Sequence, residues 1–188
     1  MVKRIDSPER IITEDMKNRA AKFANDVVTE TYNRLKRNIS QRKQKIYFGK
    51  IGEEVLSSYF NEFGLISKID YEIYLGTTSI DETDLIVSGY NIDIKVGSQP
   101  FHKRLLVVKQ YFDNGHQSDF YVAINIYNNE TTAVIYGFAT KEEIKLAHVA
   151  KWDKVNPVDD YTLLYDILHP IETLVEILKN KPKSIEAI

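Results

Sequence analysis

The sequence contains no cysteine, which excludes disulfide scaffolds, thiolate zinc sites and cysteine nucleophiles together. It has no apolar run approaching the roughly 20 residues that a membrane-spanning helix needs. The stretch MVKRIDSPERIITEDMK at the N-terminus is charged throughout and lacks the apolar core of a secretory signal, so a cytoplasmic location is expected. The patterns G-x-x-x-x-G-K, G-x-G-x-x-G and G-x-S-x-G are all absent, which argues against phosphate-loop, dinucleotide and serine-hydrolase chemistry. His102, His116, His148 and His169 are scattered, without H-x-x-x-H or HNH-like grouping, and read as surface or packing residues. There is no internal repeat and no low-complexity tract.

What is present is the composition of one ordinary globular domain: 188 residues, 43% hydrophobic and 28% charged, enough to bury a proper core. The net charge of −2 hides an uneven distribution. From Thr31 to Lys50 there are seven Lys or Arg residues (Arg34, Lys36, Arg37, Arg42, Lys43, Lys45, Lys50) and no acid. After Trp152 the balance reverses, with Asp153, Asp159, Asp160, Asp166, Glu172 and Glu176. Phosphate binding depends on the local face rather than the total, so Arg42, Lys43, Lys45 and Lys50 are candidate nucleic-acid contacts.

Hydrophobic spacing sets the expected elements. Met16, Ala20, Phe23, Val27, Val28, Tyr32 and Leu35 make an amphipathic helix over 14–37. The basic stretch 38–45 reads as a loop, and a second helix over about 49–63 ends at Gly64. The period then changes to two, giving strands at 66–75, 84–87 and 90–96, with Ser88-Gly89 as a tight turn. Residues 101–112 read as strand or helix. Strands follow at 120–127 and 132–138. Thr140 with Glu143 forms a capping box for a helix to about residue 150, and a last helix spans about 171–178. The fold expected is an α/β sandwich around a mixed sheet, one domain over 1–188. Within it, 1–45 is an N-terminal helical and basic segment, 46–150 the core and 151–188 a C-terminal segment.

The chemistry concentrates in Asp84-Leu-Ile-Val-Ser-Gly-Tyr-Asn-Ile-Asp93-Ile-Lys95. An acid two residues before a lysine also occurs at Asp15–Lys17 and Glu143–Lys145, but only Asp93–Lys95 falls in an expected strand beside another acid-bearing strand. A two-residue turn at Ser88-Gly89 sets Val87 opposite Tyr90 and Asp84 opposite Asp93, with Lys95 on the same face. Leu85, Val87, Ile92 and Ile94 then fill the other face. Directly opposed side chains have Cβ atoms only about 4.5–5.5 Å apart, and like charges there are destabilising. A divalent cation would offset that repulsion, and Mg²⁺ is often held by one or two carboxylates.

This hairpin resembles the motif of the PD-(D/E)xK nuclease superfamily, whose members have a restriction-endonuclease-like fold. Glu82-Thr83-Asp84-Leu85-Ile86-Val87 is similar to the E-x-D-L-I form of its first half, with Thr83 in place of proline, and Asp93-Ile94-Lys95-Val96 matches the second. Gly49-Lys50-Ile51-Gly52-Glu53 resembles the G-x-x-G-E that opens the preceding helix. Ser118-Asp119-Phe120-Tyr121-Val122 and Tyr136-Gly137-Phe138-Ala139-Thr140 look like segments of phage and restriction members. The resemblance covers about residues 49–150. It implies a mixed β-sheet flanked by helices and hydrolysis of phosphodiester bonds, leaving 5′-phosphate ends, in double-stranded DNA.

The resemblance further implies that Asp84, Asp93 and the Ile94 carbonyl hold Mg²⁺, for which Mn²⁺ can substitute. Lys95 orients water and stabilises the transition state, and Glu53 supports a second metal or a bound water. Glu54 reads as surface. His102, Lys103 and Arg104, soon after the motif, are further candidate backbone contacts. DNA is the expected partner, a homodimer is a further option, and no membrane association is expected. Two alternatives stay open: a nucleic-acid-binding module on the same fold without cleavage, and an RNA-processing or repair nuclease.

Overall fold

The computed structural model describes residues 7–29, 38–71, 84–127, 129–151 and 158–180. Strand β1 (Glu9–Ile11) leads into helices α1 (Glu14–Val27) and α2 (Ile39–Glu62). Strands β2 (Ser67–Ile69), β3 (Leu85–Val87), β4 (Tyr90–Gly97) and β5 (Arg104–Val108) follow, then the short helix α3 (Lys109–Asp113). The hairpin of β6 (Phe120–Tyr127) and β7 (Thr132–Thr140) precedes helix α4 (Lys141–Leu146). Beyond it lie β8 (His148–Lys151), β9 (Asp159–Leu164) and α5 (Ile171–Asn180).

Two sheets result. The larger has six strands in the order β1-β7-β6-β4-β3-β2 and the smaller three in the order β5-β9-β8. Only the β4–β6 pairing is parallel, so the larger sheet is mixed. This is an α/β fold. Alternation along the central strands gives each face of the larger sheet its own core. Ile92, Ile94, Val122, Ile124 and Ile135 pack with Ile51, Val55 and Phe60 of α2 and Leu174 and Leu178 of α5. Tyr121, Ala123, Val134 and Tyr136 point the other way and pack with Leu105, Val107, Phe112 and Tyr161 of the smaller sheet and α3. Helices therefore cover one face and the small sheet the other. Among the described residues no helix is long and apolar enough to cross a membrane.

Most strands stand where the alternation puts them, and the Thr140–Glu143 capping box is formed in full. Several expectations need correction. Residues 38–45 are not a loop: Asn38 caps α2 by accepting from the Gln41 N–H at 2.9 Å, so the helix begins a full ten residues before Gly49 and runs unbroken through residue 45. Helix α1 ends at Val27, and the 30–37 part of the expected helix lies outside the described residues. So do 72–83, which hold the rest of the expected 66–75 strand together with Glu82 and Thr83. Within 101–112 a turn through residue 103 is followed by a strand and then a helix. The helix after Thr140 stops at Leu146 and gives way to β8. Strands β1, β8 and β9 were not legible: β1 pairs with β7 and β9 with β5, both far away in sequence, and β8 only adds an edge to β9.

Candidate active site

The β3–β4 hairpin has the register that its sequence dictates. Leu85 pairs with Ile92, Ile86 with Asn91 and Val87 with Tyr90. Ser88 and Gly89 have φ of 51° and 81°, the two positive values of a type I′ turn, whose twist matches that of the flanking strands. One step beyond Leu85–Ile92, Asp84 stands across from Asp93. Leu85, Val87, Ile92 and Ile94 are sealed in the helix-side core, so the two acids and Lys95 share the opposite face.

On that face the three side chains form one cluster. Lys95 Nζ lies 2.6 Å from Asp93 Oδ1. The Asp84 and Asp93 carboxylates are close enough to act on each other's charge. The regular ladder stops at Leu85, and Asp84 Oδ2 instead accepts from the Ile94 N–H at 2.7 Å. Burial and the adjacent Asp93 push the Asp84 carboxyl up to about 7, against the opposing pull of Lys95 and the Ile94 N–H. Among the described residues two carboxylates meet one ammonium, and the raised Asp84 carboxyl reflects that imbalance.

Behind Asp93 stands Tyr121, its partner in the parallel β4–β6 pairing. Its hydroxyl accepts from the Ser118 N–H at 3.0 Å, and burial pushes its pKa up to about 12. The Asp119 carboxylate accepts from the Asn91 N–H at 2.9 Å, tying the start of β6 to β4. The Ser118-Asp119-Phe120 stretch thus holds the motif strand in place.

Glu53 is not brought to this pair. It is buried on α2, which packs over the apolar face of β4, and Lys50 Nζ donates to its Oε2 at 2.7 Å. Among the described residues no group of three or more His, Asp or Glu side chains gathers to hold a metal ion. Lys50 is also not an exposed phosphate contact. It is 6% exposed, donates to the Asp70 carbonyl and sits over the rings of Phe23 and Tyr71, at 4.5 and 5.2 Å.

Glu54 is not a surface residue either. Arg19 donates to both its oxygens, at 2.6 and 2.8 Å, and the Tyr71 hydroxyl donates as well. Burial alone would raise its pKa, but those bonds outweigh it and hold the carboxyl below its usual value. Sequence reading missed this network because Arg19 and Tyr71 lie far from Glu54 in the chain.

Of the other basic candidates, Lys43, Lys45 and Lys103 are exposed and Arg42 is half-buried. Arg104 begins β5 and reaches Thr162 Oγ1 at 3.3 Å, across the small sheet. His102 is half-buried and its Nδ1 accepts from the Ser98 N–H at 3.1 Å. Burial lowers its pKa, so it is a turn-forming residue rather than a standing cation. No family model matches the chain, and neither a curated protein nor a solved structure matches it.

Proposed function

We propose that this protein is a metal-dependent nuclease that hydrolyses phosphodiester bonds in double-stranded DNA. The observation that supports this reading is the Asp84–Asp93–Lys95 cluster. Two carboxylates are held against each other by a register that the apolar face enforces, with one lysine beside them. The donor chemistry fits a small hard cation: carboxylate oxygens on neighbouring strands, next to the Ile94 backbone, suit Mg²⁺ or Mn²⁺. Asp84, Asp93 and the Ile94 carbonyl would hold it. The bound cation supplies charge neutralisation at the phosphate and acidifies the attacking water.

The protein's own groups do the remainder. Asp93 keeps the Lys95 ammonium on the cluster face, where it donates to the attacking water or to a phosphate oxygen as charge develops there. The Ile94 N–H and the β3–β4 ladder fix Asp84, so little reorganisation is needed when substrate arrives. Lys43, Lys45 and Lys103 offer sequence-independent phosphate contacts. Glu53, engaged by Lys50 on the helix side, has no part in this reading.

Incubating the purified protein with supercoiled, linear and single-stranded DNA, in Mg²⁺ or in EDTA, tests it. The expected result is conversion of supercoiled plasmid to nicked or linear form in Mg²⁺ alone. A folded protein that binds DNA but leaves it intact in both Mg²⁺ and Mn²⁺ would instead be a non-cleaving nucleic-acid module.

A further inference from the structure

Single apolar side chains on a surface are common and mean little by themselves. Phe101 differs in how it is held. It is 73% exposed, yet the turn that carries it is fastened from below. Asn125, fully buried in the otherwise apolar strand β6, donates to the carbonyl of His102 at 3.2 Å, and its amide nitrogen also lies 3.4 Å from the Gln99 carbonyl. The same amide donates to the Tyr127 hydroxyl at 2.8 Å. The His102 N–H closes the turn on the Gln99 carbonyl at 3.0 Å, and the Ser98 N–H donates to the His102 ring at 3.1 Å. The Tyr165 N–H holds the Lys103 carbonyl at 2.9 Å, and Pro100 fixes its own φ. The Phe101 ring stands edge-on to the His102 ring, 4.9 Å between centroids at 85°.

The place of the turn follows from Gly97. Alternation puts Asp93, Lys95 and Gly97 on one face of β4. A Cβ at Gly97 would overlap the Asn125 amide oxygen and lie 3.0 Å from His102 Cβ. The base of the turn therefore rests on the same face as the acid–acid–lysine cluster. Gly97 lies about 7 Å along the strand from Lys95, at two residues of strand rise. Beyond it the chain presents the exposed Phe101 ring on a fastened turn, with the exposed Lys103 two residues on.

We propose that Phe101 is a stacking platform for an unpaired base, next to the bond that is cut. This inference rests on the nuclease reading of the Asp84–Asp93–Lys95 cluster and adds to its duplex substrate a preference for sites where a single-stranded stretch adjoins the cleavage position. A ring on a turn fixed in advance loses less freedom on binding, and every base offers a π-face, so the contact is sequence-tolerant. Lys103 would take the neighbouring phosphate.

Equilibrium binding in EDTA tests it, with two dye-labelled probes: a blunt duplex of two annealed strands and the same duplex carrying a single-stranded tail. Phe101→Ala should weaken the tailed probe on the order of 5- to 150-fold, the range found for removal of one base–aromatic stack. The blunt duplex should be bound as before, and Phe101→Trp should retain the tailed-probe affinity. An equal loss on both probes, or no loss on either, overturns the proposal. Mg²⁺-dependent cleavage by wild-type protein separates the two readings. If cleavage is present while Phe101→Ala is neutral, only the stacking role falls. A wild-type protein that neither binds a probe nor cleaves overturns both.

Discussion

Two groups of carboxylates flank the central sheet, and they differ in how their charge is met. On the helix side, Glu53 and Glu54 face Lys50 and Arg19, with Tyr71 adding a hydroxyl, and the Glu54 carboxyl is held below its usual value. On the other side, Asp84 and Asp93 face Lys95, and Asp84 is pushed up to about 7. The first group is balanced and ties α1 to α2. The second, two acids to one ammonium, keeps a deficit of positive charge in a place where the chain could equally have set Thr or Lys. A structural ion pair needs no such imbalance, and the proposed cation would make it up.

Substitutions should separate the two groups, first by activity. Asp93→Ala is expected to abolish DNA cleavage in Mg²⁺ while the circular dichroism spectrum stays native, because a partly exposed carboxylate contributes little to packing. Cleavage at the wild-type rate by this variant would remove Asp93 from the chemistry. Lys95→Ala should retain metal and DNA binding but turn over about 10²–10³ more slowly, the usual effect of removing one transition-state interaction. Single-turnover cleavage at saturating metal measures that directly.

Stability should divide them in the opposite sense. Glu54→Ala breaks a balanced group and leaves Arg19 without its acceptor. It should cost about 1–3 kcal/mol in urea unfolding, below the value for a fully buried pair because Arg19 is half in solvent. Asp84→Asn should instead stabilise the metal-free protein at pH 8. The sign follows from the raised carboxyl. Its stabilising protonation is complete below the unfolded value of 3.8 and is lost as pH rises through about 7. Metal-free wild type should therefore melt relatively higher at pH 5 than at pH 8, and the melting-temperature advantage of Asp84→Asn should vanish on acidification. A variant that destabilises equally at both pH values would mean that Asp84 serves the fold.

The smallest effect concerns the start of α2. Replacing Arg42, Lys43 and Lys45 by alanine should flatten the plot of log K against log [salt] for duplex DNA by up to about three units, near 0.9 for each phosphate no longer neutralised. All sequences should be weakened alike. An unchanged slope would assign the phosphate path to the Lys103 side.

The hairpin was legible from sequence because three local rules agree there: strict alternation, a two-residue turn and an apolar set that fits only one register. The capping box at Thr140 was legible for the same reason, since both partners are three residues apart. Glu54 was not, because a helical wheel knows only its own helix and Arg19 lies on another. The start of α2 was missed because its first turns lack an apolar stripe, although Asn38 carries the cap signal. Asn125 did leave a trace: one amide inside FYVAINIY must find partners when buried. What it fastens could not be read, since the Gln99 and His102 carbonyls lie more than twenty residues away.

Calorimetric titration of Mn²⁺ into the metal-free protein, near pH 6.5 and in two buffers of different ionisation enthalpy, tests the central claim most directly. A cation that displaces the proton held by the raised Asp84 carboxyl should bind with proton release to the buffer, and both binding and release should disappear in Asp93→Ala. Binding that survives in that variant, or no binding to wild type, would contradict the assignment of this pair as a cation site.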